Sequence, residues 1–187
     1  MVQNKTKWFF LEPLLTKEKP IHLSEISKKL KTSHTIVRRY LLDFEKIGLL
    51  KKEIIGRQTF YSFNPEYYLL LDYLVVAEKE KLIKHSNSSL LLKDLIFNLH
   101  KIELPALIFG SFSEENKSKS KDIDLLLVGD VTKKIKERLK SIEKKINKKI
   151  HLINVDSLEE IDETLKREIL SKHLIINNSE LILRWLR

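Results

Sequence analysis

The hydrophobic positions change period several times along the chain, and those changes divide it into elements. From about residue 24 to residue 47, apolar residues recur every three or four positions, as one face of a helix requires. Ser24 is placed to cap a short helix, SEISKKLK, and Thr32-Ser33 to cap a second that runs from about His34 to Ile47 and stops at Gly48. Val37, Tyr40, Leu41, Phe44 and Ile47 make the core-facing stripe of that second helix, which leaves His34, Thr35, Arg38 and Arg39 outside. After Gly48 the pattern becomes β-like. LLKKEII and QTFYSF, rich in β-branched and aromatic residues, flank Gly56-Arg57 and predict a hairpin. From Pro65, PEYYLLLDYLVVAEKEKLIKHS predicts a helix of roughly 20 residues, apolar on nearly all sides in its first half and so obliged to bury more than one face. Packing between domains or against a second copy would satisfy it. Its charged second half, followed by Asn87-Ser88-Ser89, marks a domain boundary near residue 87.

Beyond that boundary LLLKDLIFNLHKI predicts a helix leading into a strand at Leu104–Phe109, which ends at Gly110-Ser111. A second apolar run, Ile123–Val128, is preceded by Asp122 and interrupted by Asp124, and period-two alternation places these two carboxylates on one face of a strand. Lys133–Lys148 is amphipathic, with Ile135, Leu139, Ile142 and Ile146 on one face. Its lysines read as a solvated face, with RNA or an acidic partner as the alternative. KIHLINV, at Lys149–Val155, is then a strand, SLEEIDETLKREILSK a helix capped by Ser157, LIINN a brief extended piece and SELILRWLR a final helix. The order α-β-turn-β-α-β-α over 88–187 predicts a small mixed sheet with helices around it, so the fold class is α+β.

Charge refines this division. Residues 1–64 hold 13 Lys and Arg against 6 Asp and Glu, whereas 65–187 hold 22 against 20, so most of the formal +9 lies in the first third. A basic first domain on a nearly neutral remainder points to nucleic-acid contact by that domain. With 42% apolar residues, the chain has material for one large or two small cores. It has no cysteine, which excludes disulfides and thiolate zinc sites and suits a cytoplasmic protein. No targeting segment is read at the N-terminus, and the longest apolar segment, Tyr67–Ala77, is interrupted by Asp72 and far short of the ~20 residues a membrane span needs.

Candidate chemistry concentrates in LIFGSFSEENKSKSKDIDLLLV, residues 107–128. Two adjacent carboxylates repel unless a cation lies between them, and hard divalent ions such as Mg2+ or Mn2+ take one or two carboxylates together with substrate phosphates. Glycine permits close backbone approach, and backbone N–H groups beside a serine hydroxyl can hold phosphate oxygens. Lys117, Lys119 and Lys121 in the intervening loop read as solvated. Gly110-Ser111, ten residues, then Asp122-Ile123-Asp124 resembles the signature of the DNA polymerase β-like nucleotidyltransferases, most closely the minimal nucleotidyltransferases, some of which are antitoxins that transfer AMP to a partner toxin. The resemblance implies that Asp122 and Asp124 are catalytic and ligate the metal, that Gly110 and Ser111 hold the β- and γ-phosphates of ATP or another nucleoside triphosphate, and that a ribonuclease toxin of the HEPN type is a partner. A third acid completes the family's site. At the matching position of Ile150-His151-Leu152-Ile153 this chain has His151, which would serve as ligand or proton acceptor, with Asp156 as a more distant candidate.

The first 64 residues, from Ser33 through GLLKKEIIGRQTFYSFNPE above all, resemble a winged helix-turn-helix of the ArsR and MarR regulators. That likeness implies a helix 34–47 in the major groove, with Thr35, Arg38 and Arg39 toward DNA and Arg57 at the wing tip on the minor groove or phosphates. A surface that only docks protein or dimerises is the alternative. Three segments are therefore expected: a DNA-binding domain at 1–64, a linking or dimerising helix at 65–87 in a homodimer, and a minimal nucleotidyltransferase domain at 88–187. Two functions remain open at this stage. One is a metal-dependent nucleotidyltransferase acting on a protein or RNA hydroxyl; the other is a DNA-binding regulator whose nucleotidyltransferase-like domain senses a nucleotide or mediates assembly without turnover.

Overall fold

The computed structural model describes residues 6–17, 19–113 and 122–187, and it divides the chain into two compact units, 1–80 and 81–187. Lys117, Lys119 and Lys121 lie outside the described residues. The architecture is α+β, and among the described residues no helix is long and apolar enough to cross a membrane.

In the first unit a 3-10 turn at Lys7–Leu11 runs into α1 (Glu12–Leu15), followed by β1 (Ile21–His22), α2 (Leu23–Leu30), α3 (His34–Lys46), β2 (Leu50–Ile55) and β3 (Gln58–Phe63). The cap of α2 is His22, whose ring Nδ1 accepts the Ser24 N–H at 3.2 Å, so Ser24 is a helical residue rather than the expected cap. Ser33 caps α3 by its extended backbone without a side-chain bond. Val37, Leu41 and Phe44 are buried, Tyr40 is half-buried and its ring stacks on Phe10 with centroids 4.1 Å apart. Ile47, expected in the stripe, is 46% exposed. It follows the last helical turn, where the chain reverses at Gly48 (φ +83°), and the helical spacing no longer applies to it.

β2 and β3 pair antiparallel from Leu50↔Phe63 to Ile55↔Gln58, and Gly56 (φ +60°) takes the positive-φ place of a two-residue turn. Asn64 Nδ2 donates to the Gly48 carbonyl at 2.9 Å and ties the hairpin base to the end of α3. β1 completes a three-stranded sheet beside β3. The next helix, α4, spans Leu70–Ser86 and starts five residues later than Pro65 suggests, because Asn64 also accepts the Glu66 N–H and organises a turn there. The division between units falls within α4, and its charged second half is not wholly solvated: Glu78, Lys81 and His85 are buried.

The second unit continues with α5 (Leu90–Leu99), β4 (Ala106–Phe109), β5 (Asp122–Val128), α6 (Lys133–Ile146), β6 (Lys149–Val155), α7 (Glu163–Ser171), β7 (His173–Asn177) and α8 (Ser179–Leu186). Strand order is β6-β5-β4-β7, with β5 and β6 parallel through the α6 crossover and β4 antiparallel to both of its neighbours. Ala106, Ile108, Ile123, Leu125 and Leu127 share a core with Leu92, Leu95 and Leu99 of α5 and Leu139 and Ile142 of α6. Strand alternation turns Leu107, Phe109, Asp124 and Leu126 to the opposite face. The helix expected over 157–172 is interrupted. Ser157 caps only a 3-10 turn, Leu158–Glu160, in a capping box with Glu160, and Asp162 caps α7 by accepting the N–H groups of Thr164 and Leu165.

Tyr61 on β3 is buried, and its hydroxyl has no hydrogen-bond partner among the described residues. Burial pushes its phenol above the usual range, and the Glu45 carboxylate adds to this while Arg38 opposes it. The folded state therefore keeps the Tyr61 proton where the unfolded chain loses it, and the associated stability is lost as pH rises above about 10. Tyr61→Phe should leave the unfolding free energy unchanged or raise it by about 1 kcal/mol at neutral pH, since it removes a dehydrated hydroxyl. Urea titrations at neutral pH and at about pH 10.5 check this, and the advantage of the variant should widen at the higher pH.

Candidate functional site

The site begins where β4 stops. Gly110 (φ +68°) follows Phe109 and opens a 3-10 turn, Gly110–Ser113, held by the Ser113 hydroxyl donating to the Gly110 carbonyl at 2.8 Å. Phe109 is paired with Asp124 across β4 and β5, so the carboxylate comes to the backbone of the turn. A methyl group at Gly110 would lie 2.7 Å from Asp124 Oδ2. Glycine is thus required twice, once for the positive φ and once for the space the carboxylate occupies. The Gly110 N–H donates to the Lys172 carbonyl at 3.2 Å, so any part Gly110 plays toward a phosphate is through its missing side chain rather than its N–H. Ser111, next in the turn, is exposed.

Asp122 and Asp124 stand on the same face of β5, the first exposed and the second with 31% of its side chain accessible. β6 runs parallel beside them in a register that sets Lys149 opposite Asp122 and His151 opposite Asp124. His151 Nδ1 is 3.5 Å from Asp124 Oδ1. The structure therefore brings together Gly110, Asp122, Asp124 and His151, with Lys149 as a neighbour that sequence reading missed. The strand KIHLINV was legible; its register, which aligns Lys149 with Asp122, was not. Asp156 is excluded from the site. It lies five residues beyond His151, about 16 Å along the strand direction, where it lines a cavity with Val128 and Trp185. His173 of β7 also went unread. It is paired with Phe109 on the row that contains Asp124, but it is buried, with Nδ1 2.8 Å from the Ile169 carbonyl, and ties β7 to α7.

Among the described residues no three His, Cys, Asp or Glu side chains cluster as a metal site by themselves. Two carboxylates on one strand face nevertheless match the demand of a hard cation that takes its remaining ligands from substrate phosphates and water. Lys149 and His151 stand opposite the pair in the parallel register.

In the first unit, α3 exposes Thr35, Arg38 and Arg39, which line a shallow depression of about 400 Å³ together with His34, Asp43 and Lys46. Asp43 is 3.7 Å from Lys46, and the Arg39 guanidinium lies 5.0 Å from the Tyr40 ring centroid. Arg57 is exposed at the tip of the β2–β3 hairpin, directly after Gly56.

Gly110→Ala should cost about 1–2 kcal/mol of stability from the positive φ and the displaced carboxylate. Denaturant unfolding of the variant beside the native chain gives the number. An unchanged variant would show that the turn tolerates a side chain.

The family model described as Polymerase beta, Nucleotidyltransferase matches residues 91–181, just under half of the chain. No curated protein and no solved structure matches it. The matched stretch runs from α5 into α8 and contains Gly110, Ser111, Asp122, Asp124 and His151, so the site described above lies inside the part of the chain that is similar to that nucleotidyltransferase family.

Proposed function

We propose that this protein is a metal-dependent nucleotidyltransferase that moves a nucleoside monophosphate, AMP from ATP, onto a hydroxyl of a protein or an RNA. The observation that carries the reading is the pair Asp122 and Asp124 beneath a glycine whose missing side chain makes room for the second carboxylate. In such a reaction the acceptor oxygen bonds to the α-phosphorus, the bond from that phosphorus to the α–β bridging oxygen breaks, and pyrophosphate leaves with the electron pair. Asp122 and Asp124 would hold a Mg2+ or Mn2+ ion, which when bound neutralises charge growing on the phosphate oxygens. Ser111 would contact the β- and γ-phosphates. His151, exposed and beside Asp124, is placed to receive the proton of the acceptor hydroxyl.

The N-terminal unit we read as a winged helix-turn-helix, with α3 presented to the major groove and the β2–β3 hairpin as the wing. The observation behind it is the shared exposure of Thr35, Arg38 and Arg39 on α3 and of Arg57 at the hairpin tip. Such a unit would hold the enzyme on DNA, as a homodimer where the site has two halves. A protein acceptor that is a toxin would make the chain an antitoxin. The second reading, a DNA-bound regulator without turnover, is favoured by one feature: the cross-strand partner of Asp124 is a histidine rather than a third acid.

Incubation with α-labelled ATP, Mg2+ or Mn2+ and candidate acceptors separates the two. Label should transfer with the native chain and fall on the order of 100-fold or more in Asp122→Ala/Asp124→Ala. No transfer with either metal, together with equal nucleotide affinity in native and variant, sinks the enzymatic reading. His151→Gln should keep nucleotide binding and lower transfer roughly 100-fold if it accepts the proton. In gel-shift titrations on promoter DNA, Arg38→Ala/Arg39→Ala should weaken binding and reduce the salt slope by about 1.8, and equal affinity at equal salt would remove this face from the interface.

A further inference from the structure

The side of the second unit away from Asp122 and Asp124 carries a feature that nucleotidyl transfer does not use. Leu139 and Ile142 of α6 pack with α5 against Ile123, Leu125 and Leu127, the face of β5 opposite Asp124, so the outer surface of α5 and α6 cannot touch a nucleotide held by the aspartates. Outside this core α6 presents seven Lys and Arg against two Glu in the stretch KKIKERLKSIEKKI. A solvated helix face needs no cavity and no exposed ring, yet this one has both.

Asn98, Arg138, Ser141 and Lys145 surround a depression of about 260 Å³ between the two helices, with the buried side chain of Ile142 as its floor. Phe97, which precedes Asn98 in α5, is 58% exposed, and Lys101 Nζ lies 4.0 Å from its ring centroid. Arg138 Nη1 donates to the Lys101 carbonyl at 2.8 Å, which fixes the guanidinium at the rim and links it to the Phe97 turn. Asn98 Nδ2 donates to the Asp94 carbonyl at 2.7 Å, and the Asp94 carboxylate is 3.0 Å from Lys145 Nζ. Two cations, a hydroxyl and an amide around a small depression suit a phosphate. The face of the exposed Phe97 ring that Lys101 does not cover suits an unpaired base.

We propose that the α5–α6 face binds single-stranded nucleic acid, with a backbone phosphate seated among Asn98, Arg138, Ser141 and Lys145 and a base stacked on Phe97. A duplex would keep its bases stacked inside and leave the ring unused, whereas a single strand offers both its charge and a π-face to every such platform. An acidic protein segment would meet the charge but has no need of the ring. The remaining lysines of α6 extend the positive track along the strand. This surface is independent of the proposed transfer chemistry and stands whether or not the aspartates turn over.

The test uses the full chain carrying Arg38→Ala/Arg39→Ala, so that the first unit contributes least, and a fluorescein-labelled single-stranded oligonucleotide of ~15 residues followed by anisotropy over a salt series. Arg138→Gln/Lys145→Gln should weaken binding about 10-fold or more and lower the salt slope by about 1.4. Phe97→Ala should weaken the single strand roughly 5-fold or more while leaving a duplex of equal charge unaffected. Asp94→Asn, which releases Lys145 from its ion pair, should tighten binding about 2-fold, a gain that misfolding cannot mimic. Unchanged affinity and slope in all three variants would overturn the proposal. So would equal competition by polyglutamate of matched charge, which would make the face an acidic-protein surface.

Discussion

The second unit depends on how closely a carboxylate can approach a backbone turn. Asp124 sits opposite the last residue of β4, and the chain can leave that strand at Gly110 only because no side chain occupies the place of the carboxylate. The positive φ at this glycine directs the chain into the 3-10 turn of Ser111 to Ser113, and the Ser113 hydroxyl bonded to the Gly110 carbonyl keeps it there. The same few atoms therefore terminate a core strand, expose Ser111 and leave room for the Asp124 carboxylate. Architecture and chemistry are joined at one residue. A mixed sheet makes this possible, because β4 antiparallel to β5 brings a strand end to the strand start where Asp122 and Asp124 lie, while the parallel pairing of β5 with β6 lines up Lys149 and His151 on the other side.

The electrostatic consequence follows from register. Two carboxylates two residues apart on one strand face repel, and each has a cationic or potentially cationic neighbour across the sheet. Both Asp122 and His151 are well exposed, so solvent screens these interactions and they contribute little to folding. Their value is positional. In the proposed reaction, a substrate bringing its own phosphates and a divalent ion would meet acids on one strand face and an imidazole beside Asp124. The two faces of the sheet differ at their edge: one row holds α5 and α6, whereas the other buries Leu107, Phe109 and Leu126 and leaves Asp122, Asp124 and His151 accessible where β5 and β6 begin.

Much of this was legible from residue type and spacing. Gly56-Arg57 between two β-rich runs identified a two-residue hairpin turn, and Ile135, Leu139, Ile142 and Ile146 identified the buried face of α6, because both signals are local. Where long-range contacts compete with local preference the reading shifted. Ser24 was passed over as a cap for His22, since β1 pairs with β3 and sets the start of α2 two residues earlier. A helix expected over 157–172 broke because Asp162 captures two N–H groups and starts a new helix. Ile47 lost its place in the core when the chain turned at Gly48.

By itself the sequence determined that a strand ends at a glycine, that two aspartates share one face of the next strand, and that positive charge concentrates in the first 64 residues. These follow from backbone periodicity and from composition, which need no knowledge of distant neighbours. Only the tertiary structure decided that His151 rather than Asp156 faces Asp124, that the Gly110 N–H is committed to Lys172, and that Asn98 lines a depression with Arg138 and Lys145 while Phe97 stays exposed. Strand register and helix packing are set by the sum of many weak contacts across the sheet, and a one-residue slip in β6 would have turned His151 away from the acid it now meets.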